Sequence, residues 1–220
     1  MTDFARAREA MVDSQLLPNG VTDHRILSVM GKLPRERFVP EGRRGLAYID
    51  DAHPIGEQGS GRYLAPPAPL AKLLQLAEIQ HTDVVLDVGC GTGYSTAVIA
   101  GLAASVVAVE SDKTLAAAAE ETLASLDIGN AAVVNAPEQR GVPSEAPFDV
   151  IVVEGEVDEV PDALFKQLKE GGRLVALISE GATASAHVFV RSGGEIAGRS
   201  AFNAWLPPLA SMRKAPSFVF

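Results

Sequence analysis

The sequence predicts a doubly wound α/β sheet, mostly parallel, with antiparallel edge strands and an N-terminal helical extension. Three observations predict it. Short apolar runs at 84–88, 105–109, 131–134, 149–153 and 173–178 alternate with helical patterns. Strands apolar almost throughout are covered on both faces, which calls for crossover helices and a parallel sheet. A glycine-rich turn closes the first run and opens a helix. Near the end, Ser192-Gly193-Gly194 separates runs at 186–191 and 195–202, a hairpin signal that makes that edge antiparallel.

The elements follow in order. Apolar residues over 4–16 are spaced for one helical face, Pro18-Asn19-Gly20 breaks the chain, and Asp23 can cap a second helix through Met30. A glycine- and proline-rich stretch over 53–69, containing GEQGSGRYLAPPAP, reads as a loop or linker. A helix begins over 70–76, and others are expected at 94–103, 113–126 and 161–168, with 217–220 a candidate last strand. The chain divides into an extension and loop over 1–69 and an α/β domain over 70–220, forming one compact unit.

Composition narrows the function classes. The 220 residues are 47% hydrophobic and 21% charged, with a mean hydropathy of +0.13, which supports a substantial core. Net charge is −9, from 19 basic and 28 acidic residues. That balance argues against nucleic acid as a partner, since phosphate binding needs a basic face; Arg35, Arg37, Arg43 and Arg44 form only a small basic cluster. The single cysteine, Cys90, excludes an intramolecular disulfide and suits a reducing compartment. The N-terminal residues lack the apolar core of a signal peptide, and no stretch reaches the roughly 18 apolar residues that span a bilayer. A cytoplasmic protein without a membrane partner is expected.

The chemistry concentrates in VVLDVGCGTGYSTAVIA, where Asp87 ends a strand and Gly89, Cys90, Gly91 and Gly93 lead into a helix. Glycines let the backbone turn tightly and a ligand come close, and a helix N-terminus offers free N–H groups to an anion. Glu110 ends the next strand, where an acid can accept from both hydroxyls of a ribose. A dinucleotide turn would read G-x-G-x-x-G. The D-x-G-x-G-x-G found here instead resembles the first motif of class I methyltransferases, where the acid meets the methionine ammonium of S-adenosylmethionine.

Elsewhere the sequence is quieter. His24, His53, His81 and His187 have no metal-ligand spacing, and no zinc cluster is present. Pro66-Pro67 and Pro207-Pro208 do not follow the strand at 149–153, unlike the Asn-Pro-Pro-Tyr motif of amino-methylating enzymes. Glu154-Gly155-Glu156 follows it instead, so Glu154 either lines the cleft or belongs to a solvated acidic loop. Trp205 reads as packing against the last strand.

Taken whole, the chain resembles the protein-L-isoaspartate O-methyltransferase family. The resemblance lies in MVDSQLLPNGVTDHRILSVMGKLPRERFVP, AYIDDAHPIG, VVLDVGCGTGYSTAVIAGLA, APFDVIVVEGEVDEVP and LKEGGRLV. It implies a Rossmann-like class I methyltransferase that uses S-adenosylmethionine to methylate a carboxylate of a protein or peptide. It implies cofactor contacts from Asp87, Gly89, Cys90, Gly91, Gly93, Glu110, Pro137 and Glu154, with an acceptor-holding loop near residues 56–67. Two family signatures are replaced. Where the family carries Thr-Ile-Ser, whose hydroxyls help hold the acceptor carboxylate, this chain has Arg62-Tyr63-Leu64, with Ser60 upstream. Where it carries Gly-Asp-Gly, whose acid meets the adenine amino group, this chain has Ala136-Pro137-Glu138, leaving Glu138 as the substitute acid or a solvated loop charge. Arg62 is the candidate acceptor anchor. The substitutions keep open another acceptor, such as a small molecule, or a protein that binds the cofactor without catalysis.

Overall fold

In a computed structural model, residues 3–181 and 183–213 are described. The chain opens with α1 (Phe4–Met11), capped by Asp3, which accepts from Arg6 N at 3.1 Å. A wider π-helical turn over Val12–Leu16 completes the expected first helix. In α2 (His24–Met30), Asp23 is the cap, accepting from Arg25 N at 2.8 Å. The 53–69 stretch is more ordered than a linker: β1 (His53–Pro54) and β2 (Tyr63–Leu64) pair antiparallel, His53 opposite Leu64. Next, α3 (Pro67–Ala77) starts at Pro67 rather than at 70, because proline's fixed φ suits the first helical turn.

The main sheet holds β3 (Val84–Val88), β4 (Ser105–Glu110), β5 (Ala131–Asn135), β6 (Phe148–Val157), β7 (Leu168–Ser179), β8 (Ala184–Ser192) and β9 (Glu195–Asn203). Their order is β5-β4-β3-β6-β7-β8-β9, parallel from β5 through β7 and antiparallel at β8 and β9. Three helices accompany the strands: α4 (Tyr94–Ala100), α5 (Lys113–Ser125) and α6 (Asp162–Phe165). Successive strands step one way from β3 to β5, then β6 joins the other side of β3. That reversal opens a crevice at the carboxyl ends of β3 and β6, where such sheets bind ligands.

Alternation along the strands fills both faces. Val85, Val106, Val150 and Val175 enter one apolar cluster, while Leu86, Val109, Ile151 and Leu174 enter the other. Met11, Leu16, Ile26, Met30 and Phe38 share the first cluster with Val85, so the extension is built into the core of the α/β domain.

Three elements differ from the sequence reading. β6 continues to Val157 because Glu156 N donates to Pro207 O at 3.1 Å and Leu209 N to Glu156 O at 3.0 Å. Glu154-Gly155-Glu156 is therefore strand, not loop. β7 begins at Leu168, opposite Phe148, and crosses the Gly171-Gly172 pair through an irregularity in the ladder. The helix expected over 161–168 is thereby cut to one turn, α6. The candidate strand at 217–220 lies outside the described residues.

Arg35 leaves the suspected basic patch altogether. It is fully buried, donates to Ala47 O at 2.7 Å and Ala65 O at 2.6 Å, and stacks its guanidinium 4.6 Å from the Tyr94 ring centroid. These bonds fix the chain as it leaves β2. His53 is buried beside it, and burial, then the charges of Arg35 and Arg43, lower its pKa to about 4. Among the described residues, no helix is long and apolar enough to cross a membrane.

Candidate active site

The crevice is built from the ends of β3, β4 and β6 and the turn after β5. Asp87, fully buried at the end of β3, accepts through Oδ2 from Ser95 Oγ at 2.9 Å and Thr96 Oγ1 at 2.7 Å. Both hydroxyls come from the first turn of α4, which the glycine turn aims back at the strand. Asp87 Oδ1 is buried without a partner, and so is Glu154 Oε1 on β6. Burial pushes the Asp87 carboxyl up to about 6, against the two hydroxyl donors and with help from the charge of Glu110. Burial, then the Asp87 charge, pushes Glu154 well above the carboxylate range. An unpaired buried acid is costly; two that share a site await a cation.

Gly89, Gly91 and Gly93 adopt φ of +82°, +56° and +88°. At Gly91 the requirement is twofold, since a Cβ would be strained at that φ and would lie 2.6 Å from Ile55 Cδ1. Gly91 N donates to Glu110 Oε2 at 2.8 Å, and Asp112 N to Glu110 Oε1 at 3.0 Å, which locks the carboxylate of the β4 acid in the crevice. Cys90 is buried against this turn; burial raises its thiol pKa well above the usual value, with Asp87 and Glu110 adding to the effect. It is a small packing residue that lines the crevice, not an ionised nucleophile.

Pro137 is exposed where the turn Glu138–Arg140 begins, and the next residue is the one that enters. Glu138 is fully buried, accepting at Oε1 from Ser111 Oγ at 2.7 Å and Ser111 N at 3.2 Å, while its Oε2 has no partner. Its burial removes the solvated-loop alternative. Sequence reasoning missed Ser95, Thr96 and Ser111, although two hydroxyls opening the helix after an acid-bearing strand are a legible sign of support for that acid.

Arg62 takes an unexpected place. Its guanidinium pairs with Glu110 Oε2, approaches Glu138 Oε1 at 3.7 Å and donates to Gly89 O at 3.3 Å, leaving the side chain 12% exposed. The candidate acceptor anchor thus points to Glu110 and Glu138. Burial raises the pKa of Glu110, and the Arg62 charge opposes that rise. Ser60 does not take over the missing hydroxyls, since its Oγ donates within the loop to Ile55 O at 3.2 Å and accepts from Arg62 N at 3.3 Å. Among the described residues, no cluster of three His, Cys, Asp or Glu side chains is arranged to hold a metal.

The donor set fits S-adenosylmethionine. Orphaned oxygens of Asp87 and Glu154 suit a cationic methionine end, Gly91 leaves the turn without a Cβ, and Glu110 and Glu138 would meet the nucleoside. Fold and crevice together define a Rossmann-like S-adenosylmethionine-dependent methyltransferase.

Comparison with known proteins narrows the class. The family model described as Protein-L-isoaspartate(D-aspartate) O-methyltransferase matches residues 6–214. A protein-L-isoaspartate O-methyltransferase of Koribacter versatilis is 38% identical over 89% of this chain and 87% of its own length. One from Methanoculleus marisnigri is 42% identical over 78% of this chain and 76% of its own length. A solved protein-L-isoaspartate O-methyltransferase superposes with a TM-score of 0.78 at 28% identity, over 91% of this chain and 65% of that one. A Plasmodium falciparum structure, titled a putative protein-L-isoaspartate O-methyltransferase in complex with S-adenosyl-L-homocysteine, has the same fold, with a TM-score of 0.77 at 22% identity over 92% of this chain and 97% of that one. This chain belongs to the protein-L-isoaspartate(D-aspartate) O-methyltransferase family. It is an S-adenosylmethionine-dependent O-methyltransferase of protein carboxyl groups.

Proposed function

We propose that the chain methylates the free carboxylate of isoaspartyl residues in proteins or peptides. The observation that carries this reading is the family match over residues 6–214, and the orphaned oxygens Asp87 Oδ1 and Glu154 Oε1 in the crevice beside the β1–β2 ribbon support the cofactor end of it. When bound, S-adenosylmethionine supplies a methyl carbon made electrophilic by its sulfonium. Asp87 and Glu154 hold its cationic end, Glu110 its ribose, and Glu138 its adenine edge.

The acceptor needs no general base, because a carboxylate is ionised at neutral pH. The protein's task is to align that oxygen and to exclude water from it. Tyr63 and Leu64, which line the crevice with Gly89, Ser95 and Glu154, stand on the side from which the acceptor enters. Arg35 holds that wall in place through Ala65 O.

One observation favours a second reading, in which the acceptor is a different protein carboxylate. No side-chain hydroxyl occupies the place of the family's serine, since Leu64 stands there and Ser60 is engaged inside its own loop. Methyl transfer from labelled S-adenosylmethionine to an isoaspartyl peptide, beside its normal aspartyl isomer, separates the two. The proposal expects a base-labile methyl ester on the isoaspartyl peptide alone. Cofactor binding with no transfer to either peptide would favour the second reading.

A further inference from the structure

We propose that Arg62 is a latch between the two halves of the active site: in the free enzyme it fills the ribose position on Glu110, and cofactor binding expels it towards the acceptor carboxylate. This rests on the reading that Glu110 holds the ribose of S-adenosylmethionine.

The first support is that the Glu110 carboxylate already accepts three donors, with both positions on Oε2 taken. Its Oε1 takes Asp112 N, and its Oε2 takes both Gly91 N and the Arg62 guanidinium. The two backbone donors belong to the fold, whereas Arg62 arrives from a separate loop. A ribose diol donates to the same oxygens, so diol and guanidinium compete for them. Glu138, the acid expected at the adenine edge, is the second carboxylate that Arg62 approaches.

The second support is steric. The ribbon that carries Arg62 also sets Ile55 over Gly91, at the face that glycine leaves open. The free space bounded by Ile55, Tyr63, Leu64, Gly89 and Glu154 is about 20 Å³. Ligand pockets run to roughly 300–1,000 Å³, so the whole cofactor, whose methionine end would lie in this space, enters only after the ribbon that bounds it withdraws.

The third is chemical. Arg62 stands where the family's acceptor-holding hydroxyls begin, next to Tyr63 on the acceptor wall. Once displaced from two buried acids, a guanidinium needs a new anion, and it is the donor best shaped for a carboxylate. Occupation of the cofactor site would thus arm the acceptor site, and binding would be ordered, with the cofactor first.

The test is calorimetric titration of S-adenosyl-L-homocysteine into wild type, Arg62→Ala and Arg62→Gln at pH 8, combined with the KM for isoaspartyl peptide. Removing a competing charged contact should tighten the nucleoside's binding roughly tenfold in Arg62→Ala, with Arg62→Gln in between. The peptide KM should move the opposite way and rise. General damage to the site would weaken both, so opposite signs are the signature of the latch. A second measurement needs no variant: in wild type the observed rate of S-adenosyl-L-homocysteine binding should level off with concentration, because arginine departure limits it. Equal or weaker binding in both variants, or a rate that stays linear in wild type, would overturn the latch. No binding by wild type at all would overturn the cofactor reading beneath it as well.

Discussion

Asp87 and Glu154 lie at one end of the crevice, and Glu110 and Glu138 at the other. Three are placed by strand ends or the turn after one and Glu154 by the body of β6, and all have polar atoms withdrawn from water. They differ in what balances them. In the first pair each acid keeps an orphaned oxygen, in the second only Glu138 does, and burial raises the pKa of Asp87, Glu154 and Glu110 alike. The second pair shares Arg62, a cation the chain supplies itself. A buried carboxylate can be neutralised by a proton, by a ligand or by an internal arginine. The two ends of the crevice carry different remedies. In the proposed complex the methionine end would bring an ammonium to Asp87 and Glu154, whereas the ribose would bring only hydroxyls to acids that Arg62 already balances.

Breaking the first pair should have the largest effect. Asp87→Asn removes the charge at the methionine end and should weaken S-adenosyl-L-homocysteine roughly ten- to a hundredfold, the worth of a charge-assisted contact of about 1.5–3 kcal/mol. Calorimetry reads this directly. Acid should have the next effect. With the Asp87 carboxyl at about 6, the ionised form that the ligand's cation prefers is lost as pH falls below that value. Affinity for S-adenosyl-L-homocysteine should therefore drop by up to about tenfold between pH 6 and pH 5, and the drop should flatten in Asp87→Asn.

A smaller effect, of opposite sign, concerns the free chain. A carboxyl whose folded pKa is raised from 3.8 to about 6 stabilises the fold below that window and loses this contribution as pH rises through it. Asp87→Asn should then stabilise the free protein at pH 7.5, by on the order of 2 kcal/mol. Glu110→Gln, which strips Arg62 of its partner, should destabilise it. Thermal melts of both variants without cofactor check the contrast, and a loss of stability in both would mean that the two acid pairs are not different after all.

Local features of this arrangement were legible in the sequence and tertiary ones were not. Strand β3 and the start of α4 were readable because an apolar run, an acid and a glycine turn are continuous in the chain, and Asp87 and Glu110 fell where that pattern put them. The bounds of β6 and β7 were not, since a Gly-rich bulge and a return segment from Pro207 extend strands past the ends that composition marks. Arg62 illustrates the larger gap. Its partners lie 48 and 76 positions away along the chain, and nothing local distinguishes a loop arginine that faces an acceptor from one that reaches back to a ribose acid. Arg35 reads as surface charge for the same reason, although it is wholly buried.

The account's central claim is that the two acid pairs are two halves of one cofactor site, one for the charged amino-acid end and one for the nucleoside. Adenosine isolates the second half, because it carries the ribose and base without the methionine. Titrating adenosine and S-adenosyl-L-homocysteine into wild type, Asp87→Asn and Glu110→Gln tests the division directly. Asp87→Asn should lose affinity for the full ligand while keeping that for adenosine, and Glu110→Gln should change affinity for both. If Asp87→Asn weakens adenosine as much as it weakens the full ligand, the assignment of the two halves is contradicted.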